Sequence, residues 1–401
     1  MSGSAIDPGI VLRRGKNGGV TRYVPSVDSN AARGLAFALA HADLVADDVL
    51  EMGPGDFEIA ADVVGVANTT IIGSGPETRW VVTAPESGIR YHPRANQTFQ
   101  NFASTATGST FYYHPTTDPN TVDNVTFIDL FLTCGEDSLY IDGPVNGTVV
   151  RTWRAYNCRF KSSSGTPNND TIVIYGNYFT MKFFGCEWEN YAPGNPALNS
   201  SCLEVGDGDT TSNTLAECYG CTFLTQPSAQ PDIDASGITT GGDSICRLFN
   251  CNVRTVTGGF TSVRSLRAND TSTIEVYGGY YDPSLASVEA GGAKIVSYEA
   301  RTYETAAAAG NAQANATDVN ASFVLATAAD ATKGIQLRAI PIGDSITVKN
   351  NAAAVLKVYG QTGVAINGLA ANAAIEMAAN TIATFFASSA TQLWTLPLLP
   401  S

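Results

Sequence analysis

Tyr156-Asn157-Cys158-Arg159-Phe160, Phe184-Gly185-Cys186-Glu187-Trp188, Tyr219-Gly220-Cys221-Thr222-Phe223 and Phe249-Asn250-Cys251-Asn252-Val253 are four copies of one pattern: an aromatic residue, Asn or Gly, Cys, a variable residue and a large apolar one. Tyr277-Gly278-Gly279-Tyr280-Tyr281 continues the series with Gly in place of Cys, and Ile128-Asp129-Leu130-Phe131-Leu132 extends it upstream. The central positions 130, 158, 186, 221, 251 and 279 lie 28, 28, 35, 30 and 28 residues apart, a period that belongs to repeat architectures. Apolar residues alternate within each copy, as a strand with one buried face requires, and the flanks are rich in Gly, Asn, Ser, Thr and Pro. One such coil cannot bury its own apolar face. Stacking coils about 4.8 Å apart sets like residue over like and builds a continuous core, so residues 124–281 read as a solenoid of parallel β-coils.

Alternation assigns each column of the stack. It predicts that Tyr156, Phe184, Tyr219, Phe249 and Tyr277 point inward, with the Cys158, Cys186, Cys221 and Cys251 column and the Phe160, Trp188, Phe223, Val253 and Tyr281 column. The cysteines read as small buried hydrophobes. Cys218 and Cys221 have a metal-ligand spacing, but alternation sends them to opposite faces, so no metal is expected. Outward lie the turn-tolerant Asn157, Gly185, Gly220, Asn250 and Gly278. Outward too, Arg159 falls over Glu187 and Lys161 over Glu189, pairs worth a few tenths to about 1 kcal/mol each.

The whole chain sets the bounds. Its 401 residues are 44% hydrophobic and 15% charged, which excludes disorder, and a net charge of −14 with scattered lysines and arginines argues against nucleic acid. Arg13, Arg14 and Lys16 are not followed by an apolar segment, so no export signal is expected. Residues 363–387 are apolar but interrupted by Asn367, Asn372, Glu376 and Asn380, which disfavours membrane insertion. The cysteines are accordingly not read as a disulfide framework, and the Asn-X-Ser/Thr triplets carry no glycosylation argument.

Upstream, residues 30–42 form an alanine-rich helix candidate with Asp28 or Ser29 as its cap. Asp48-Val-Leu-Glu-Met52, Gly53-Pro-Gly55, Phe57-Glu-Ile59 and Thr70-Ile-Ile-Gly-Ser-Gly75 follow. On these residues the chain resembles the pectate-lyase-like right-handed β-helix superfamily, over roughly residues 29–302. Past Tyr303 the composition turns to Ala, Asn and Thr, and short antiparallel strands are predicted within residues 343–348, 354–358, 363–368, 384–386 and 392–395. This region is similar to a small β-domain of tailed-phage virion proteins, with Gly363-Val-Ala-Ile-Asn-Gly368 and Trp394 carrying the likeness. The expected organisation is an arm over 1–28, a β-helix over 29–302 and a C-terminal β-sandwich-like domain over 303–401. The fold class is all-β, a right-handed parallel β-helix with an N-terminal capping helix and a small antiparallel domain. The likeness to phage appendages implies a homotrimer that meets other virion proteins of tail or capsid.

Candidate chemistry is sparse. Lyases of the resembled superfamily use acids with a basic residue, yet Lys161 and Lys182 are the only lysines between 100 and 290, and Arg159 already faces Glu187. For hydrolysis, Glu187 and Glu189 sit i,i+2 on one outer face, about 7 Å apart. Their cationic neighbours would hold both ionised, which is wrong for a general acid. Asp207 and Asp209, in Gly206-Asp-Gly-Asp209, read as a solvated bend or a sugar or calcium contact. Tyr175, Tyr178 and Tyr191 near turns are possible sugar platforms, and Trp188 belongs to the core. His41, His92 and His114 fall in no catalytic motif, and His41 is placed as a cation at the helix C-terminus. The insertions 162–169, 190–200 and 224–235 follow the same strand of the repeat and are expected along one edge. No catalytic residue is assigned beyond the weak candidates Glu187 and Glu189, and no cofactor is expected. The ligand-binding candidates are Tyr175, Tyr191, Asp207 and Asp209. The expected role is a virion structural protein, a trimeric tailspike touching host-surface polysaccharide. The alternatives are a capsid decoration protein and a glycan depolymerase. Assembly is expected in the host cytoplasm.

Overall fold

The computed structural model describes residues 11–14, 19–24, 29–82, 90–113, 122–135, 137–142, 151–162, 170–175, 178–192, 200–206, 214–227, 235–255, 263–288, 292–298, 302–340 and 342–399. The chain divides into two compact units, Met1–Tyr277 with Ala286–Tyr298, and Gly278–Leu285 with Glu299–Ser401.

The first unit is a parallel β-helix of three sheets. A coil visits them in turn: Arg151–Tyr156 in the first, Arg159–Ser162 in the second, Ile172–Tyr175 in the third, and then Phe179–Phe184, Glu187–Ala192 and Ser200–Val205 one layer on. Twelve, eight and nine strands accumulate in this way. The pairing is parallel throughout except where Val11–Arg14 runs antiparallel to Val20–Val24. Register follows the repeat residue by residue: Ile128 pairs with Tyr156, Tyr156 with Phe184, Phe184 with Tyr219, Tyr219 with Phe249 and Phe249 with Tyr277.

One column is not where alternation placed it. Cys158, Cys186, Cys221 and Cys251 are buried, as are Phe160, Trp188, Phe223 and Val253, but Tyr156, Phe184, Tyr219, Phe249 and Tyr277 are half-buried and face outward. The cause is the residue between aromatic and cysteine. Asn157, Gly185, Gly220, Asn250 and Gly278 have φ of 50°, 62°, 62°, 52° and 66°, the left-handed region that Gly and Asn tolerate. The chain bends there from the first sheet to the second, and the period of two does not carry across the bend. The same bend overturns the separation of Cys218 from Cys221: both are buried. All eight cysteines are free and buried, and burial pushes the Cys202 thiol up to about 12.

The helix Asn30–Ala42 is capped by Ser29, whose Oγ accepts from the Ala32 amide at 3.2 Å. It buries Phe37 edge-on to Trp80 at 5.4 Å, and Gly34 lets it approach closely, since a Cβ there would meet the Glu58 carbonyl oxygen. Asp48, buried, accepts from the amides of Val20 at 2.7 Å and Val45 at 3.1 Å and ties the entering strand to the first coil. His41 is not a solvated cation. It is buried, and desolvation lowers its pKa to about 4.

The second unit packs two sheets on each other. Six strands, Tyr303–Ala307, Phe323–Thr327, Ser345–Asn350, Ile382–Ser389, Gln392–Leu396 and Ala365–Ile366, face four, Thr317–Val319, Gly334–Leu337, Leu356–Tyr359 and Ile375–Met377. Val324, Ile335, Leu337, Ile346, Val358 and Phe385 fill the space between. Ile382–Ser389 pairs antiparallel with both Ser345–Asn350 and Gln392–Leu396. The first three strands of each sheet pair parallel, because the chain passes from sheet to sheet at every strand. Among the described residues no helix is long and apolar enough to cross a membrane.

Candidate functional site

The β-helix presents three outer faces, one per sheet. On the second, Glu187 and Glu189 sit as spaced by the strand, and each meets cations: Arg159 lies 3.6 Å from both, and Lys161 lies 3.4 Å from Glu189. This is the geometry of an ion-pair cluster.

The first sheet carries the aromatic column. Tyr156, Phe184, Tyr219, Phe249, Tyr277 and Tyr298 stack with centroids 4.7–4.9 Å apart and planes within 9°. Beside them runs an alternating charge ladder: Lys182 to Glu217 at 2.7 Å, Glu217 to Arg247 at 3.5 Å, Arg247 to Glu275 at 2.7 Å. Tyr219 and Tyr277 donate their hydroxyls to Glu217 and Glu275 at 3.2 and 3.3 Å. Burial works against the charge of Glu217, but the hydrogen bond and charge of Lys182 win and lower its pKa. A sugar platform needs a free ring face. Here each interior ring spends both faces on its neighbours, so this surface is a structural spine.

The third face is chemically different. Tyr112 and Tyr140 stack at 5.1 Å, Tyr175 meets Tyr140 edge-on at 5.8 Å, and the Arg90 guanidinium lies 3.9 Å from the Tyr112 ring centre. Next to Tyr175 the carboxyl group of Asp170 lies within electrostatic reach of Glu204 and Asp137. The corner before Ile172–Tyr175 supplies Asp170, and the strand Ser200–Val205 supplies Glu204 in register with Val173. Asp170 is 7% exposed, and its Oδ1 accepts from the Ser201 amide at 2.6 Å. Burial first, and the Glu204 charge second, push its pKa well above the carboxylate range. Burial followed by Glu204 and Asp170 likewise raises Tyr175. The raised pKa biases Asp170 toward its neutral, proton-bearing form. It can donate a proton, or hold hydroxyl groups through one donor and several acceptor oxygens.

Of the residues singled out from sequence, Tyr175 joins this cluster. Tyr178 is half a turn before the next coil, 39% exposed at a φ of 58°. The backbone of Tyr191 lies in Glu187–Ala192, and its side chain lies outside the described residues, as do Asp207, Asp209 and His114. The insertions also fall mainly outside them, although all join second-sheet strands to third-sheet strands. Asp170, Glu204, Tyr112 and Tyr140 were not anticipated, because the third strand of each coil lacks the aromatic-Asn/Gly-Cys signature. Tyr140-Ile141 and Ile174-Tyr175, each an apolar residue beside an outward tyrosine, were the available signal. Among the described residues no three His, Cys, Asp or Glu side chains cluster as metal ligands.

No family profile matches the chain, and no curated protein matches its sequence. Among solved structures, ORF18 of Geobacillus virus E2 is similar at 12% identity and a TM-score of 0.41, covering 96% of this chain and 83% of that one. The A-module of the mannuronan C-5 epimerase AlgE6 of Azotobacter vinelandii is similar at 12% identity and a TM-score of 0.42, covering 82% and 88%. The corresponding module of AlgE4 gives 13% identity and 0.40, covering 78% and 88%. Likeness at this level does not extend to residues or chemistry.

Proposed function

We propose that the chain is a virion appendage of a tailed phage, a trimeric tailspike that holds host-surface glycan along the third face of its β-helix. The observation that carries the glycan reading is the Tyr112–Tyr140–Tyr175 row set beside the Asp170–Glu204 carboxyl pair. Sugars present C–H faces and hydroxyl groups together, and this strip offers Tyr175, which meets its neighbour edge-on rather than in a stack, next to acceptor oxygens on a rigid scaffold. The virion reading rests on the C-terminal likeness. Immunogold labelling of intact particles tests it, with tail label expected; shell label would favour a decoration protein instead. Titration of host polysaccharide against the chain and its Tyr175→Ala variant tests the face, with at least tenfold weaker binding expected for the variant. Equal binding by both would remove this face from the proposal.

The raised pKa of the buried Asp170 carboxyl favours a second reading, glycan hydrolysis. Asp170 would donate from Oδ2 to the leaving oxygen as water takes the sugar. Chain-length analysis of polysaccharide after incubation should then show shortening that Asp170→Asn abolishes. Cleavage should fade as pH rises through the elevated Asp170 pKa. Polysaccharide left at full length after long incubation would leave the face a binding site alone.

A further inference from the structure

The six-stranded sheet of the second unit buries one side against its partner sheet and leaves the other uncovered. That outer side sets large apolar residues among threonines and serines. Tyr303, Ile382, Phe386, Trp394 and Leu396 project from it with exposures of 41%, 48%, 39%, 38% and 70%. Register brings them together: Phe386 pairs with Trp394, while Tyr303, Phe323, Thr347, Thr384 and Leu396 follow one another across the strands. An exposed apolar patch of this size is often functional.

We propose that this face is where copies of the same chain meet. Two observations select a second copy as the occupant. The first is charge. The chain carries −14 overall, so like copies repel unless they approach through a face without carboxylates. Among the described outward strand positions of this sheet the charged side chain is Lys349, and its Nζ is already bound to the Asn380 carbonyl at 2.5 Å. The second is area. With side chains of about 150–250 Å² each, the exposed apolar residues amount to on the order of 500 Å². A standard interface buries about 800 Å² per partner, roughly 60% of it apolar, so the face matches one interface. Its polar atoms are satisfied within the face as well. Thr347 and Thr384 bond each other at 2.9 Å, and Tyr303 bonds Thr305 at 3.1 Å. Each of these hydroxyls therefore keeps one partner when an apolar surface covers it. This inference rests on the trimer reading above: an oligomer that leaves Trp394 quenchable would keep the trimer and remove this face, and polysaccharide binding tests the glycan reading apart.

Trp394 supplies the test. Trp80, Trp153 and Trp188 are buried, so acrylamide quenching of tryptophan fluorescence in the full chain reports Trp394. Light scattering should give a multiple of 42.0 kDa at micromolar concentration, with Trp394 protected. Dilution should lower the mass and raise quenching together. Phe386→Glu, an exposed change that keeps the reporter, should give the single-chain mass and a several-fold larger quenching constant at every concentration, with unchanged circular dichroism. A single-chain mass for the unaltered protein overturns the proposal. So does an oligomer in which Trp394 stays as quenchable as in the dilute protein. Should Phe386→Glu misfold, the dilution series on the unaltered chain decides by itself.

Discussion

The buried Tyr91 hydroxyl accepts a hydrogen bond from Gln97 Nε2 at 3.1 Å and lies 3.0 Å from His41 Nε2, to which it is hydrogen-bonded. Burial of His41 disfavours the charged imidazole. The folded pKa of about 4 lies below the ordinary 6.5, so the unfolded chain takes up the proton first as pH falls. The stability His41 contributes is full above pH 6.5 and is lost as pH falls toward 4. Between pH 7 and pH 4.5 the loss is about 2 kcal/mol. Urea titrations at those two pH values should show this difference between the unaltered chain and His41→Gln. Equal acid sensitivity of the two proteins would remove His41 from the account. The sequence placed this histidine at a helix end but could not show Tyr91, fifty residues away, closing over it.

At the scale of elements, the aromatic spine stabilises the first sheet through neighbours rather than through burial in the core. Phe249 touches two rings, Tyr219 at 4.7 Å and Tyr277 at 4.8 Å, whereas Tyr298 at the end touches one. Stacked pairs contribute about 0.5–1.5 kcal/mol each, so Phe249→Ala should cost roughly twice as much as Tyr298→Ala in denaturant titration. Equal costs would mean that the rings do not act as a chain of pairs. The neighbouring Glu217 accepts from Lys182 and Arg247 at once. Glu217→Gln should destabilise at low salt, and the deficit should shrink in 1 M salt, where screening reaches about 3 Å. Loss unchanged by salt would point to packing instead. The repeat was legible because Tyr156, Asn157 and Cys158 mark a bend that recurs in every coil. The direction of Tyr156 was not, since alternation was carried through Asn157, whose left-handed backbone resets it; the Asn-or-Gly choice at that position held the clue. Asp170 and Glu204 stayed invisible because third-sheet strands such as Ile172–Tyr175 carry no comparable marker and follow connections of unequal length.

The whole molecule contains two cores, the stacked interior of the β-helix and the two-sheet interior of the C-terminal unit. Phe385 is fully buried in the second, and truncating such a side chain costs about 3–5 kcal/mol. Calorimetry should resolve two transitions, and Phe385→Ala should lower one while leaving the other within a degree. A single transition that moves as a whole would show that the units melt together. Fold class was readable along nearly the full length because both units are written in short alternating strands. The parallel pairing of Tyr303–Ala307, Phe323–Thr327 and Ser345–Asn350 was not, because pairing direction depends on where the chain goes between strands. The ring spine has one more consequence. Six aromatic chromophores held parallel at 4.7–4.9 Å couple their strong far-ultraviolet transitions, so the stack should add an exciton component to the dichroism that falls as coils leave register.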